Sequence, residues 1–178
     1  GETRAEILNI LDVAAEAGNP NRAFVYGSTS KITFGGGGLA LFASSAENVA
    51  WLTARISRRS IGPDKLNQLR HVRYLKDMAG LEALMERHCA LIRPKFETVY
   101  AAFDKHLKGT GAAIWSKPGG GYFVSVDVID GCAARVIELA AKAGIALVAP
   151  GATFPYGKDP RDRNIRVAPT YPSLDEVT

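Results

Sequence analysis

Apolar residues follow two rhythms along this chain, one at helical spacing and one in short unbroken runs. Between Thr3 and Ala17, the residues Ile7, Ile10, Leu11 and Ala14 share one face and predict an amphipathic helix. Thr3 with Glu6 reads as a capping box at its start, and Gly18 before Asn19-Pro20 reads as its stop. The runs Ala23 to Tyr26 and Gly38 to Ala43 predict two strands joined by a polar, glycine-rich loop. Ser44-Ser45 opens a helix through Ser60, and Ile61-Gly62-Pro63 breaks the pattern. Asp64 to Lys76 predicts a further helix, and a long one follows from about Asp77 to Leu107. The stripe of Met78, Leu81, Leu84, Met85, His88, Leu91, Phe96, Tyr100 and Phe103 along that helix predicts core, with His88 a buried, hydrogen-bonded histidine. Pro94 lies inside the helix and should bend it, because its ring removes one hydrogen bond and crowds the preceding turn.

Gly109 to Gly111 ends the long helix. Ala112 to Trp115 and Tyr122 to Asp127 predict strands around the turn Lys117-Pro118-Gly119-Gly120-Gly121. Cys132 to Ala143 predicts a helix closed by Gly144, Ala146 to Val148 a short strand, and Pro150 to Asp162 a loop. Asn164 to Ala168 predicts the last strand, and Ser173 with Glu176 begins another capped helix. This order predicts an α/β protein. A boundary near Pro63 to Asp77 would separate residues 1–76 from residues 77–178, the long helix forming the bridge.

Composition narrows the function classes. The chain of 178 residues carries a net charge of +4, but its basic residues are dispersed, with Arg58-Arg59 the one adjacent pair. That argues against a dedicated nucleic-acid surface. No apolar run approaches membrane-spanning length, and the charged first residues do not predict a secretory leader. Cys89 and Cys132 lie far apart, without metal-ligand spacing, and suit a reducing compartment such as the cytoplasm. No metal site is expected from them or from the three histidines.

The strongest candidate chemistry lies in Gly27-Ser28-Thr29-Ser30-Lys31-Ile32-Thr33, followed by the glycines 35–38. A lysine on a tight loop between two strands is placed to form a Schiff base with a carbonyl compound, including pyridoxal phosphate. Ser28 and Ser30 add hydroxyl donors suited to a phosphate. It is not the nucleotide-type phosphate loop, because the lysine precedes the glycines. Taken alone, the same cluster also describes a solvated turn.

Three motifs together are more specific. Ser28-Thr29-Ser30-Lys31 resembles the lysine motif of fold-type I pyridoxal-phosphate aminotransferases. Lys117-Pro118-Gly119-Gly120-Gly121-Tyr122-Phe123 resembles their small-domain Pro-x-Gly-Gly-x-Phe element. Pro150-Gly151-Ala152-x-Phe154, followed by Asn164-Ile165-Arg166-Val167, resembles the segment ending in their substrate-carboxylate arginine. Ser-Thr-Ser-Lys-Ile-Thr-Phe before a glycine-rich strand is most similar to the aspartate-aminotransferase-like, MocR-type branch.

The resemblance implies a partial aminotransferase fold covering the C-terminal half of the family's chain. Residues 1–76 would be the C-terminal part of the large cofactor-binding domain, and residues 77–178 the bent interdomain helix and a small α+β domain. It implies pyridoxal phosphate as cofactor, Lys31 as the Schiff-base lysine and proton carrier, and Ser28 and Ser30 as phosphate contacts. Arg166 would grip the substrate carboxylate through two parallel hydrogen bonds; without the family it is an ordinary edge-strand arginine. The implied partners are an amino acid, with aspartate the leading candidate, a 2-oxo acid, and a second copy in a homodimer. A lyase using the same cofactor and a ligand-sensing effector domain of a transcriptional regulator are the alternatives.

Two departures accompany the resemblance. Many relatives carry a phosphate-anchoring arginine seven or eight residues after the lysine, where this chain has Gly38 and Leu39. Asn67, Arg70 and Arg73 are substitutes to consider, or else members of a solvated helix face. The family's partner for the pyridine nitrogen and its ring-stacking residue belong to segments before Gly1, so the expectation is a fragment that binds cofactor weakly and is inactive alone.

Overall fold

The computed structural model describes residues 7–177. They divide into two compact units between Arg87 and His88.

The first unit begins with helix α1, Ile10–Glu16. Its start differs from the expectation: residues 7–9 are not helical, and Asn9 is the cap, its side-chain oxygen accepting from the Leu11 amide at 3.2 Å. Asn9 satisfies a first-turn N–H that would otherwise lack a partner, which fixes the start there. The Thr3–Glu6 capping box lies outside the described residues. Strands β1, Val25–Ser28, and β2, Ala40–Ala43, pair antiparallel, with Val25 opposite Ala43 and Ser28 opposite Ala40. β1 therefore sits two residues later than its apolar run. The Ala23 carbonyl accepts from the Ser44 hydroxyl at 2.6 Å instead of joining the ladder, and Gly27-Ser28 takes the paired positions. Helix α2, Ala46–Ile56, is capped by Ser45 and ends before the expected Ser60. Helix α3, Lys65–Leu75, is capped by Asp64.

Lys76, at φ 65°, turns the chain into α4, Met78–His106, which runs continuously through Pro94. Gly80 lies so close to the Leu75 carbonyl that a Cβ would overlap it. The predicted apolar stripe is core only in part: Leu84 is buried, but Met78 and Leu91 are about two-thirds exposed. His88 is half-buried; the buried histidine is His71, at 3% exposure.

In the second unit, β3 (Ala113–Trp115), β4 (Val124–Val128) and β5 (Asn164–Val167) form an antiparallel sheet with β4 central. Alternation along β4 and β5 sends Val124, Val126 and Ile165 into the core with Ala133 of helix α5, Ala133–Lys142. Phe96, Tyr100 and Phe103 of α4 pack against this cluster. The other sheet face carries Ser125 opposite Arg166 and Asp127 opposite Asn164. Residues 146–148 are not a strand. Leu147 packs its side chain on the core without any backbone pairing, so an apolar run alone was a misleading signal. The short helix α6, Leu174–Val177, carries the expected box, with Glu176 accepting from the Ser173 amide at 2.7 Å. Among the described residues, no helix is long and apolar enough to cross a membrane.

One carboxylate organises the loop before β5. Asp159 accepts from the backbone amides of Arg163 and Asn164, each at 2.8 Å, and of Arg161 at 2.9 Å. The Asn164 amide, first among these, holds the Asp159 carboxyl below its usual range. A depressed folded value stabilises above the unfolded value, near 4, and that contribution is lost as pH falls through the folded one. The unfolding midpoints of wild type and Asp159→Asn should therefore differ at neutral pH and converge below about pH 4. Denaturant titrations across that range check it; a gap independent of pH would contradict the assignment.

Candidate functional site

Lys31 sits at the middle of a closed turn. The Thr29 carbonyl accepts from the amides of Ile32 and Thr33, both at 2.9 Å, which makes residues 29–33 a single helical turn. Thr29 also anchors the turn to the head of β2: its amide donates to the Leu39 carbonyl at 2.9 Å, and its hydroxyl accepts from the Leu39 amide at 2.8 Å. Ser28 and Ser30 hold their hydroxyls 2.6 Å apart, and the Ser30 amide donates to the Ser28 hydroxyl at 3.1 Å. Ser28, Ser30 and Lys31 are all exposed, so the structure brings these three together on an accessible surface.

Gly38 explains one departure noted in the sequence. A Cβ there would stand 2.8 Å from both the amide nitrogen and Cα of Ser30, closer than any side chain tolerates. The close approach of the glycine run to the serine leaves no room for an arginine at that position.

Helix α3 supports the turn from behind. Asn67 donates to the Gly37 carbonyl at 2.8 Å, and a terminal nitrogen of Arg70 lies beside Gly37. His71 meets the hydroxyls of Thr33 at 2.7 Å and of Thr29 at 3.2 Å through Nε2. Phe34 packs its ring between His71 and Tyr74, with centroids 5.2 Å from each. Asn67 and Arg70 were candidates from the sequence; His71, which joins them in this assembly, was not. Its signal was modest: one imidazole on a polar helix, and two threonines four residues apart flanking a lysine.

Arg166 belongs to the second unit, on β5. Its guanidinium lies over the Phe123 ring, 4.4 Å from the centroid. That contact joins the second and third motifs, because Phe123 follows the glycine turn and Arg166 lies on the last strand. Its Nε is buried with no hydrogen-bond partner among the described residues. Beside it, Asn164 donates to Ser125 at 2.9 Å and Asp127 at 2.7 Å, and accepts from the Thr153 hydroxyl at 2.7 Å. Gly151, at φ 75°, backs so closely on the Gly157 carbonyl that a Cβ would overlap it. The glycine turn of the second motif borders a cavity of about 550 Å³ together with Arg93, Phe96 and Tyr100.

A sequence profile of the aspartate amino-transferase family matches residues 1–178. The chain belongs to that family. It is 46% identical over 172 residues to an aspartate aminotransferase of Corynebacterium glutamicum, covering 97% of this chain and 40% of that protein. The crystal structure of an aspartate transaminase from the same organism superposes with a TM-score of 0.92, over 97% of this chain and 41% of that one. A more distant likeness is one of fold: an α-aminoadipate aminotransferase from Thermus thermophilus, solved with N-(5'-phosphopyridoxyl)-L-leucine, has a TM-score of 0.76 at 22% identity, over 99% of this chain and 43% of that one. The chain thus spans about two-fifths of the length of these relatives.

The aminotransferase family implies pyridoxal phosphate, and the residues present fit it. A primary amine at position 31 suits an aldehyde, and the bonded pair of Ser28 and Ser30 hydroxyls leaves one O–H that an anion can take. Gly38 keeps side chains clear of Ser30 in the same turn.

Proposed function

We propose that this chain is the C-terminal part of a pyridoxal-phosphate-dependent aminotransferase that moves an amino group between an amino acid, aspartate foremost, and a 2-oxo acid. The lysine turn carries the reading: one primary amine and two paired hydroxyls, held by backbone bonds on an exposed face. Residues 1–76 are assigned to the large cofactor-binding domain, and residues 77–178 to the interdomain helix and small domain. The likeness of residues 28–34 to MocR-type members is the basis for placing the protein in that branch. A cytoplasmic homodimer completes the reading, and the isolated 178-residue piece is expected to bind cofactor weakly and to be inactive.

Pyridoxal phosphate, when bound, supplies an aldehyde for a primary amine and an electron-accepting ring that stabilises a carbanion beside the amino group. Lys31 would offer Nζ to that aldehyde and would carry the proton between the substrate α-carbon and the cofactor's former aldehyde carbon, the shift that amino transfer requires. Ser28 and Ser30 would hold the phosphate, with the hydroxyl hydrogen left over from their mutual bond as the donor. Arg166 would hold the substrate carboxylate with its two terminal nitrogens, while the Phe123 ring lies against the guanidinium.

Incubating the full-length protein with L-aspartate and 2-oxoglutarate tests the reading. The expected products are oxaloacetate and glutamate in equal amounts. Release of ammonia instead, with no glutamate formed, would replace the transaminase with an elimination lyase.

A further inference from the structure

We propose that His71 is the positioning residue of Lys31, an inference that rests on reading Lys31 as the cofactor-bearing amine. Helix α3 is otherwise mostly solvent-exposed, and His71 is its one buried residue. Burying an imidazole costs solvation of both nitrogens unless each finds a partner. Here each does. Nδ1 lies 2.9 Å from the Asn67 carbonyl, which can only accept, so Nδ1 carries the hydrogen and donates. That bond to its own helix fixes the ring and leaves Nε2 facing Thr29 and Thr33.

The two threonines stand two residues before and two residues after Lys31. One ring nitrogen therefore meets both ends of the turn that displays the amine. With Nδ1 protonated, Nε2 accepts the one hydrogen of the Thr33 hydroxyl, and Thr29 is tied to Leu39, so the imidazole closes a network connecting α3, the turn and β2. Asn67, one helical turn earlier, holds the glycine run through Gly37. An aliphatic side chain at position 71 would bury apolar area but leave the hydroxyls without the directed partner the imidazole gives them. The imidazole fixes a direction, and direction is what an amine needs to reach one carbonyl carbon and one α-proton. Displacement by about 1 Å at a reacting group can cost about a hundredfold in rate.

The test uses the full-length protein with three substitutions: His71→Ala, Thr33→Val and His71→Gln, whose amide can reach the same hydroxyls. Amide exchange is followed over residues 29–39 without cofactor, and the share of borohydride-fixed pyridoxal phosphate at residue 31 is measured by mass spectrometry. His71→Ala and Thr33→Val should accelerate exchange in residues 29–39, with β3 to β5 unchanged. His71→Ala should lower labelling at Lys31 relative to the other lysines by about tenfold or more. His71→Gln should recover most of it, which a general loss of stability would not allow. Labelling of Lys31 in His71→Ala within about twofold of wild type would overturn the proposal. Absence of label at Lys31 in wild type would instead overturn the cofactor reading; the exchange arm then decides the clamp alone, unchanged exchange in His71→Ala overturning it.

Discussion

Replacing Lys31 by arginine in the full-length protein is expected to lower amino transfer by at least about a thousandfold while leaving the fold in place. The arginine keeps the positive charge and the length of the side chain. It cannot keep the chemistry, because a guanidinium holds its protons at any working pH and offers no amine lone pair. Both roles assigned to Nζ, meeting a carbonyl and carrying the α-proton, fail together. Stability should change by no more than about 0.5 kcal/mol, since Lys31 is exposed and the turn is closed by Thr29 and Thr33. Steady-state assay with the thermal midpoint as control checks both halves. Activity within about tenfold of wild type would remove Lys31 from the chemistry.

The sequence marked candidate chemistry here better than its support. Ser28, Ser30 and Lys31 stood out only beside the other two motifs, because the same cluster taken alone describes a solvated turn. Arg166 likewise stood out only through its neighbours, since a lone arginine on a strand has many structural reasons to exist. His71 was not legible. Its partners lie 38 and 42 residues away, and neither periodicity nor propensity on α3 marks a residue that faces a loop instead of a core. Periodicity failed in two related ways. It gave Met78 and Leu91 to the core because it measures spacing, whereas burial depends on what stands opposite. It gave residues 146–148 a strand because Leu147 is apolar, whereas a strand also needs a backbone partner. The start of α1 failed for a local reason: Asn9 captures a first-turn amide, so residues 7–9, expected to be helical, lie ahead of the helix. Gly38 worked in the opposite direction. As a departure from the family pattern it looked like a loss, and the structure gives it a reason, the closeness of Ser30.

Arg166→Lys is expected to reduce kcat/KM for the amino donor by between about tenfold and about a hundredfold, chiefly through KM. The guanidinium presents two parallel donors to a carboxylate, and an ammonium presents a point charge. Loss of one charge-assisted hydrogen bond costs about 1.5–3 kcal/mol, which sets the fold-change. The guanidinium contact over the Phe123 ring is lost as well, so the lysine also samples more rotamers before binding. Binding and turnover should separate: the carboxylate is gripped in ground state and transition state alike, so removing the grip raises KM more than it lowers kcat. An amine substrate lacking the α-carboxylate provides the control, because it should not distinguish wild type from Arg166→Lys. If both substrates lost the same factor, the residue would be supporting β5 and the Ser125–Asn164 network, and the substrate anchor would have to be sought on another side chain.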